Sequence, residues 1–254
     1  MKKNILLIIG PCAAESREQI AASIKEVKKR KLDFMRINLW KPRTRPGFEG
    51  LGKMGLPLIA DAAKKGVNPA AEVILPKHAE MIIKTTLDAS KTANVMLWIG
   101  ARNQNHYIQQ EIARVVKGEK RAFLMIKNQP WRSIDHWEGI IDHVVHAGIS
   151  TDQLYVCHRG FTPQGENNPL NLRNIPDFEM AMQMRNKLKL PMIFDPSHIG
   201  GTVENVIKVS NEAAKYSFDG LIVEVHPNPL KAITDAKQQL TWDQFDKLSR
   251  PIAS

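Results

Sequence analysis

A single (β/α)8 barrel of the TIM type is the fold class this sequence predicts, and three observations carry it. Short apolar runs alternate with amphipathic stretches of helical length, the alternation recurs eight times, and the chain has 254 residues, the length eight such units need. Near-continuous apolar strands joined by helices imply parallel pairing, with the outer face of the sheet covered. Eight units favour closure over an open doubly wound sheet. The functional site is then expected at the C-terminal ends of the strands.

The first run, "NILLII" at 4–9, stops at Gly10-Pro11. A secretory signal would need roughly 7–15 apolar residues and a small-residue cleavage site, so the run reads as a first buried strand. Behind it "KEVKKRK", 25–31, is the polar face of a helix. The second run is "DFMRINL" at 33–39, and the third is "NPAAEVI" at 68–74. Pro69 makes this third pattern the weakest, because proline cannot donate to a strand ladder. Then come "NVMLWI" at 94–99, "RAFLMI" at 121–126 and "QLYVC" at 153–157. The last two are "PMIF" at 191–194 and "GLIVEV" at 220–225. Between them, Val203, Val206, Ile207, Ala213 and Ala214 share one helical face behind Thr202 as N-cap. "TWDQFDKLSR" supplies the final helix. No low-complexity linker or composition shift divides the chain, so 1–254 reads as one catalytic domain.

Composition is that of a globular protein: 43% hydrophobic, 24% charged, with 15 glycines and 15 prolines. The two cysteines, Cys12 and Cys157, are far apart and form no disulfide scaffold, which fits a reducing cytoplasm. No run approaches the roughly 20 apolar residues of a membrane span. The formal net charge of +10 is compatible with nucleic acid, an anionic membrane surface or small anionic substrates. The basic residues form no single tract, and the 6% of aromatic residues do not interleave with them as a stacking platform requires. Nucleic acid and membrane are set aside; small anions remain.

Chemistry-bearing residues gather where the predicted strands end. The ends are "GPCAAES", "KPRTRP", Glu72, "GARN", "KN", "HRGF", "DPSH" and "EVHPNP", in strand order. In "FDPSHIGG", 194–201, a buried strand delivers Asp195 and His198 into a turn closed by two glycines. Two chemistries separate. Lys41, Arg43, Arg102, Lys127 and Arg159 are cations, and five of them at one mouth would repel unless a polyanion bound between them. Cys12, His198, Glu224 and Asp235 come from the ends of strands 1, 7 and 8, and barrel closure makes strands 8 and 1 neighbours. A sulfur, nitrogen and oxygen donor set suits one borderline divalent ion such as Mn²⁺, Fe²⁺, Co²⁺ or Zn²⁺. Spacing alone does not select these four. Singly, Cys12 also reads as a buried small hydrophobe, Glu224 as half of an ion pair and Asp235 as a helix cap.

The motifs "GPCAAES", "KPRT", "GARN", "DPSHIGG" and "EVHPNPLKAITD" occur in this order between Gly10 and Asp235. In them the chain resembles the type I-beta 3-deoxy-D-arabino-heptulosonate 7-phosphate (DAHP) synthases, which open the shikimate pathway to chorismate and the aromatic amino acids. The resemblance implies a transferase that condenses phosphoenolpyruvate with erythrose 4-phosphate and releases phosphate. It implies that Arg102, Lys127 and Arg159 grip phosphoenolpyruvate, with Asp195 also counted as substrate-binding. Lys41, Pro42, Arg43 and Thr44 would line the aldose phosphate site. Cys12, His198, Glu224 and Asp235 would hold the divalent metal, and Glu72 would place the attacking water. Cys12, Glu72, Lys127 and His198 are thereby the catalytic set, with Lys127 also moving a proton. The family further implies a cytoplasmic homo-oligomer, dimer or tetramer. Feedback control there usually lives on an added domain, ferredoxin-like or chorismate mutase; with neither in this sequence, the chain reads either as an unregulated enzyme or as the catalytic part of a longer protein.

There are departures from the family pattern. "KPRTRPGFEGLG" is one residue shorter than usual, and Arg45 replaces a small residue. His158 stands where an acidic residue is common, and "KNQ" stands where Arg-Gly is common. Three rivals are weighed. A 3-deoxy-D-manno-octulosonate 8-phosphate synthase would share fold and logic but carry a string like "KANRT" in place of "KPRT". A Schiff-base aldolase would use Lys127 as nucleophile. A non-catalytic metabolite-binding barrel would have no need of the intact donor set.

Overall fold

The computed structural model describes residues 5–41 and 47–253, in which eight parallel strands close into a barrel in sequence order. The strands are β1 Leu6–Gly10, β2 Phe34–Arg36, β3 Pro69–Glu72, β4 Val95–Ile99, β5 Ala122–Lys127, β6 Leu154–His158, β7 Met192–Phe194 and β8 Gly220–Glu224. Closure runs from Leu6 opposite Gly220 to Gly10 opposite Glu224, which brings the first and last strands together as expected. The helices among the described residues are α1 Arg17–Arg30, α2 Leu56–Lys64, α3 Pro76–Ala89, α4 His106–Lys117, α5 Ile134–His146, α6 Phe178–Leu188, α7 Pro196–Gly200, α8 Val203–Ala213 and α9 Trp242–Ala253. None of the helices is long and apolar enough to cross a membrane, among the described residues.

Local sequence explains the helix boundaries. Ser16, Asn105, Ser133, Asp177 and Thr202 each cap a helix by accepting a backbone N–H three residues on. Thr241 and Gln244 form a reciprocal capping box at the start of α9. Pro76 opens α3, where its missing N–H is harmless.

The period-2 alternation of the strands divides the core into two layers. Outward residues such as Ile9, Met35, Ala71, Leu97, Ile126, Val156, Phe194 and Val223 pack with the helices. Inward residues fill the barrel: Ile8, Phe34, Ala70, Met96, Met125, Cys157, Ile193 and Ile222, one from each strand. Two residues further along each strand, with the same inward parity, stand Gly10, Arg36, Glu72, Trp98, Lys127, Arg159, Asp195 and Glu224. The apolar plug therefore dictates which side chains face the mouth. A slip of one residue in any strand would turn its functional group into the helical layer.

Four expectations change in detail. The run at 33–39 pairs as a strand only over Phe34–Arg36, although Ile37 N still donates to Ala70 O. Pro69 opens β3, the strand position where proline is tolerated. The turn expected in "DPSHIGG" is a short helix, α7, because Asp195 caps it and Pro196 occupies its first position. On α8 the buried face is Asn205, Val206, Val209, Ser210 and Ala213, while Ala214 is exposed.

Gly220 is a tight point of closure: a Cβ there would lie 2.5 Å from Leu6 O and 2.7 Å from Ile193 Cδ1. Gly139, inside α5, has nothing within 4 Å of its Cβ position. Gly220→Ala is expected to lose about 1–3 kcal/mol through overpacking. Gly139→Ala is expected to gain up to about 1 kcal/mol through helix propensity. Urea unfolding midpoints at constant m-value check both.

Candidate active site

At the C-terminal mouth of the barrel lies a cavity of about 410 Å3, whose wall includes Lys41, Glu72, Arg102, Lys127, Arg159, Arg173 and His198. These come from the ends of β2 to β7, so four of the expected cations, Lys41, Arg102, Lys127 and Arg159, line the C-terminal mouth. Pro42, Arg43, Thr44 and Arg45 lie outside the described residues.

On the side of the mouth formed by β8 and β1, donor atoms of Cys12, Glu224 and Asp235 lie within 4.8 Å of one another. Cys12 Sγ donates to Asp235 Oδ2 at 3.2 Å, and Lys41 Nζ reaches both Cys12 Sγ at 2.8 Å and Asp235 Oδ2 at 3.0 Å. His198, the fourth expected ligand, stands at the edge of this group with Nε2 3.8 Å from Glu224 Oε1. Its Nδ1 lies 2.8 Å from Asp195 Oδ2, close but without hydrogen-bond geometry. Asp235 adopts a left-handed backbone conformation, φ 45°, and aspartate tolerates that region better than most residues.

On the opposite side, Lys127 donates to Asp195 Oδ2 at 2.6 Å. The charged partner of this amine is thus a carboxylate. Asp195 itself is fully buried, bonding Lys127 and the His198 N–H, so those two residues rather than Asp195 face the cavity. Arg159 NH1 donates to Asn174 Oδ1 at 3.0 Å, and Asn174 Nδ2 donates to His198 O at 2.6 Å. Glu72 reaches toward Gly100, where an added Cβ would lie 2.0 Å from Glu72 Oε1. The glycine of "GARN" is therefore the space that the carboxylate of Glu72 occupies.

Burial and neighbours tune these groups. Burial opposes ionisation of Glu224, yet His198, Arg36 and Lys41 outweigh it and hold the carboxyl below its usual range. For Asp235 the burial cost is overcome by Lys41 and Arg173, and for Asp195 by His198 and Lys127. Burial, and then Glu224, push the Cys12 thiol up. Burial lowers the His198 pKa, with Asp195 and Glu224 opposing. Burial also brings Arg159 down to about 10, with Asp195 opposing, so the guanidinium stays charged at neutral pH. The result is two ionised carboxylates and a thiol braced by Lys41, Arg173 and Arg36 on one side, with Lys127 and Arg159 on the other.

Several contributors were not found by reading the sequence. Arg36 NH2 donates to Glu224 Oε1 at 2.9 Å, with both side chains buried. A lone arginine inside the apolar run "DFMRINL" was a legible signal, because a buried charge demands a partner. Arg173 NH1 donates to Asp235 Oδ1 at 3.3 Å and to Gln238 Oε1 at 2.7 Å. Asn38 links Cys12 O, at 2.7 Å, to Glu72 N, at 2.8 Å. Trp98 lies beneath the cations, its ring centroid 5.2 Å from Arg36 Cζ and 5.5 Å from Lys127 Nζ.

Residues 2–252 match the DAHP synthetase I family. The chain belongs to the DAHP synthetase I family. The resemblance seen in its motifs is thereby borne out, and with it the reading of the chain as an enzyme. It is 30% identical over 248 residues to phospho-2-dehydro-3-deoxyheptonate aldolase of Thermotoga maritima, covering 95% of this chain and 67% of that protein. A crystal structure of that aldolase, a DAHP synthase, superposes with a TM-score of 0.83 at 29% identity, over 97% of this chain and 67% of the other. A truncated form of 3-deoxy-D-arabino-heptulosonate 7-phosphate synthase from the same organism gives 0.80 at 27% identity, over 97% and 84%. More distant is 2-dehydro-3-deoxyphosphooctonate aldolase of Geobacter sulfurreducens, 24% identical over 98% of this chain and 92% of its own length.

His158, the departure from the family pattern on β6, is fully buried, and its Nε2 accepts the Asp177 N–H at 3.0 Å. Burial, reinforced by Arg159, lowers its pKa to about 3. An unfolded histidine takes up a proton near pH 6.5, about three units before the folded one does. Its contribution to stability is therefore complete above about pH 6.5 and is lost as pH falls toward 3. His158→Gln keeps an acceptor for Asp177. Relative to the parent, its unfolding free energy is expected to fall less steeply between pH 6 and 4, by up to about 1.4 kcal/mol per pH unit. Urea titrations across that range check it, and parallel slopes would refute it.

Proposed function

We propose that the chain condenses phosphoenolpyruvate with erythrose 4-phosphate to give DAHP and phosphate, the entry to the shikimate pathway and so to chorismate and the aromatic amino acids. The observation that carries this reading is the meeting, in one barrel mouth, of Lys127 and Arg159 with the Cys12, Glu224 and Asp235 donor cluster. One side suits a small polyanion, the other a divalent cation.

The donor set passes the test of fit for a metal. Glu224 and Asp235 are held ionised, and the three donor atoms lie within 4.8 Å of one another. His198 Nε2, 3.8 Å from Glu224 Oε1, faces the same place. Cys12, His198, Glu224 and Asp235 would hold one divalent ion, with Mn²⁺, Fe²⁺, Co²⁺ and Zn²⁺ all compatible. When bound, the ion supplies Lewis acidity toward the aldehyde oxygen of the aldose.

The remaining work falls to the chain itself. Arg102, Lys127 and Arg159 clamp the phosphate and carboxylate of phosphoenolpyruvate and hold its C3 toward the aldehyde. Asp195 keeps Lys127 oriented from behind. As the C2=C3 π pair bonds C3 to the aldehyde carbon, the aldehyde oxygen takes a proton from Lys127 and C2 becomes electron-poor. Glu72 orients the water that adds there and accepts its proton, and the C2–O bond then breaks to release phosphate. Lys41, with Pro42, Arg43 and Thr44, receives the phosphate of the aldose. On this reading 1–254 form one catalytic domain, and the enzyme is a cytoplasmic homo-oligomer, dimer or tetramer.

A second reading, synthesis of 3-deoxy-D-manno-octulosonate 8-phosphate, is favoured by one observation: the octonate aldolase of Geobacter sulfurreducens matches over 92% of its own length. Only the aldose differs, four carbons against five. Phosphate release from phosphoenolpyruvate is expected with erythrose 4-phosphate and not with a five-carbon aldose phosphate. It is expected to stop in EDTA and to return with Mn²⁺. Turnover indifferent to the chelator would remove the metal from the account, and turnover with the five-carbon aldose alone would select the second reading.

A further inference from the structure

Two consecutive glutamines stand behind the donor cluster without belonging to it. Gln238 and Gln239 are 2% and 0% exposed, and each amide is engaged at both ends. Gln239 Oε1 accepts the Cys12 N–H at 3.0 Å, while its Nε2 donates to Thr234 O at 2.8 Å. Gln238 Nε2 donates to Glu224 Oε2 at 2.6 Å, and its Oε1 accepts from Arg173 NH1 at 2.7 Å. The segment 234–239 is thereby strapped to the β1 loop through Cys12 and to the end of β8 through Glu224. Asp235 lies inside that segment, next to Thr234, and its left-handed backbone is the kind of conformation that persists only where its surroundings over-determine it.

The choice of glutamine follows from what must be satisfied. The buried Cys12 N–H needs an acceptor, and Thr234 O offers itself to a donor. A carboxamide supplies both from one neutral plane; a carboxylate lacks the donor, and a thioether of similar size lacks the donor and accepts only weakly. A buried peptide group left unpaired costs about 1–3 kcal/mol, enough to shift a loop instead. Glu15 Oε1 holds the other flank of the segment, accepting from Ile233 N at 2.9 Å and Thr234 N at 3.3 Å. Asn38 fixes the other side of Cys12 through its carbonyl. Gln239 is the side chain that joins the Cys12 peptide itself to the Thr234 peptide, among the described residues.

We infer that Gln239 is a positioning residue: by tying Cys12 N to Thr234 O it sets the separation of the Cys12 and Asp235 donors, 3.2 Å here, and with it the affinity of the site for a divalent ion. This inference rests on the metal reading of the donor set. Partners of metal ligands typically change affinity by about 10–100-fold when removed.

The test is binding, with turnover left aside. The full chain, stripped with EDTA and desalted, is titrated with Mn²⁺ by electron paramagnetic resonance. It is separately titrated with Co²⁺, following the thiolate-to-cobalt absorption that reports Cys12. Gln239→Met preserves volume and removes both hydrogen bonds. Gln239→Asn keeps the amide but is one methylene too short to span both loops, and it carries the test if the Met variant fails to fold. Gln129→Met is the control. Gln129 is equally buried and also bonded to two backbone carbonyls, those of Trp131 and Ser133.

Mn²⁺ affinity is expected to drop about 10–100-fold in the Gln239 variants, with a weakened thiolate–cobalt band, and to remain that of the parent in the control. A folded Gln239 variant that binds Mn²⁺ as the parent does, with the same cobalt spectrum, would overturn the inference and leave the metal site standing. A parent chain that binds neither ion would overturn the metal reading itself, and this inference with it.

Discussion

The mouth of this barrel depends on one buried ion pair. Arg36, at the end of β2, reaches past β1 to Glu224 at the end of β8, 2.9 Å away, and the two side chains are 1% and 0% exposed. Removing two such charges from water costs several kcal/mol each, so the pair stands only where further bonds support it. Those bonds are present. Arg36 Nε donates to Pro11 O, its guanidinium lies over Trp98, and Gln238 donates to the second oxygen of Glu224. The loop that presents Cys12 is therefore held between two strands joined by a salt bridge beneath it.

From that pair the electrostatics of the site can be followed outward. Glu224 is kept ionised despite burial, with Arg36 among the causes. Lys41 and Arg173 do the same for Asp235, and Lys127 and His198 for Asp195. Arg159 differs in that its hydrogen-bonded side-chain partner is the neutral amide of Asn174. Its charge, already opposed by burial, would gain most from an arriving anion. Each carboxylate at the mouth is thus paired with a cation, while Lys127 and Arg159 still line the cavity.

Much of this was legible in the sequence, for a simple reason. Strand parity is a local property: once Ile8, Ala70, Met96, Met125, Ile193 and Ile222 are assigned inward, Glu72, Trp98, Lys127, Asp195 and Glu224 must point to the mouth. Barrel closure then brings Cys12 beside Glu224 without any further information. What stayed hidden depends on distant pairing. Arg173 and Gln238 are ordinary polar residues in a loop pattern until the fold sets them against Asp235 and Glu224. The short helix α7 was missed because its five residues are too few to show a period, although the Asp-Pro that starts it was in view. Asp195 illustrates the converse: its position was foreseen, while its burial beneath Lys127 and His198 emerged only from packing.

A double-mutant cycle on Arg36 and Glu224, read by urea unfolding in metal-free buffer, tests the central claim most directly. Arg36→Met removes the cation hydrogen-bonded to the buried carboxylate and is predicted to cost about 3–5 kcal/mol. Adding Glu224→Gln removes that charge and is predicted to recover a large part of the loss, giving a coupling of about 2 kcal/mol or more. Single substitutions that each cost little, and that add without coupling, would contradict it: the mouth would then be held by the packing of the β1 loop, with the ion pair incidental.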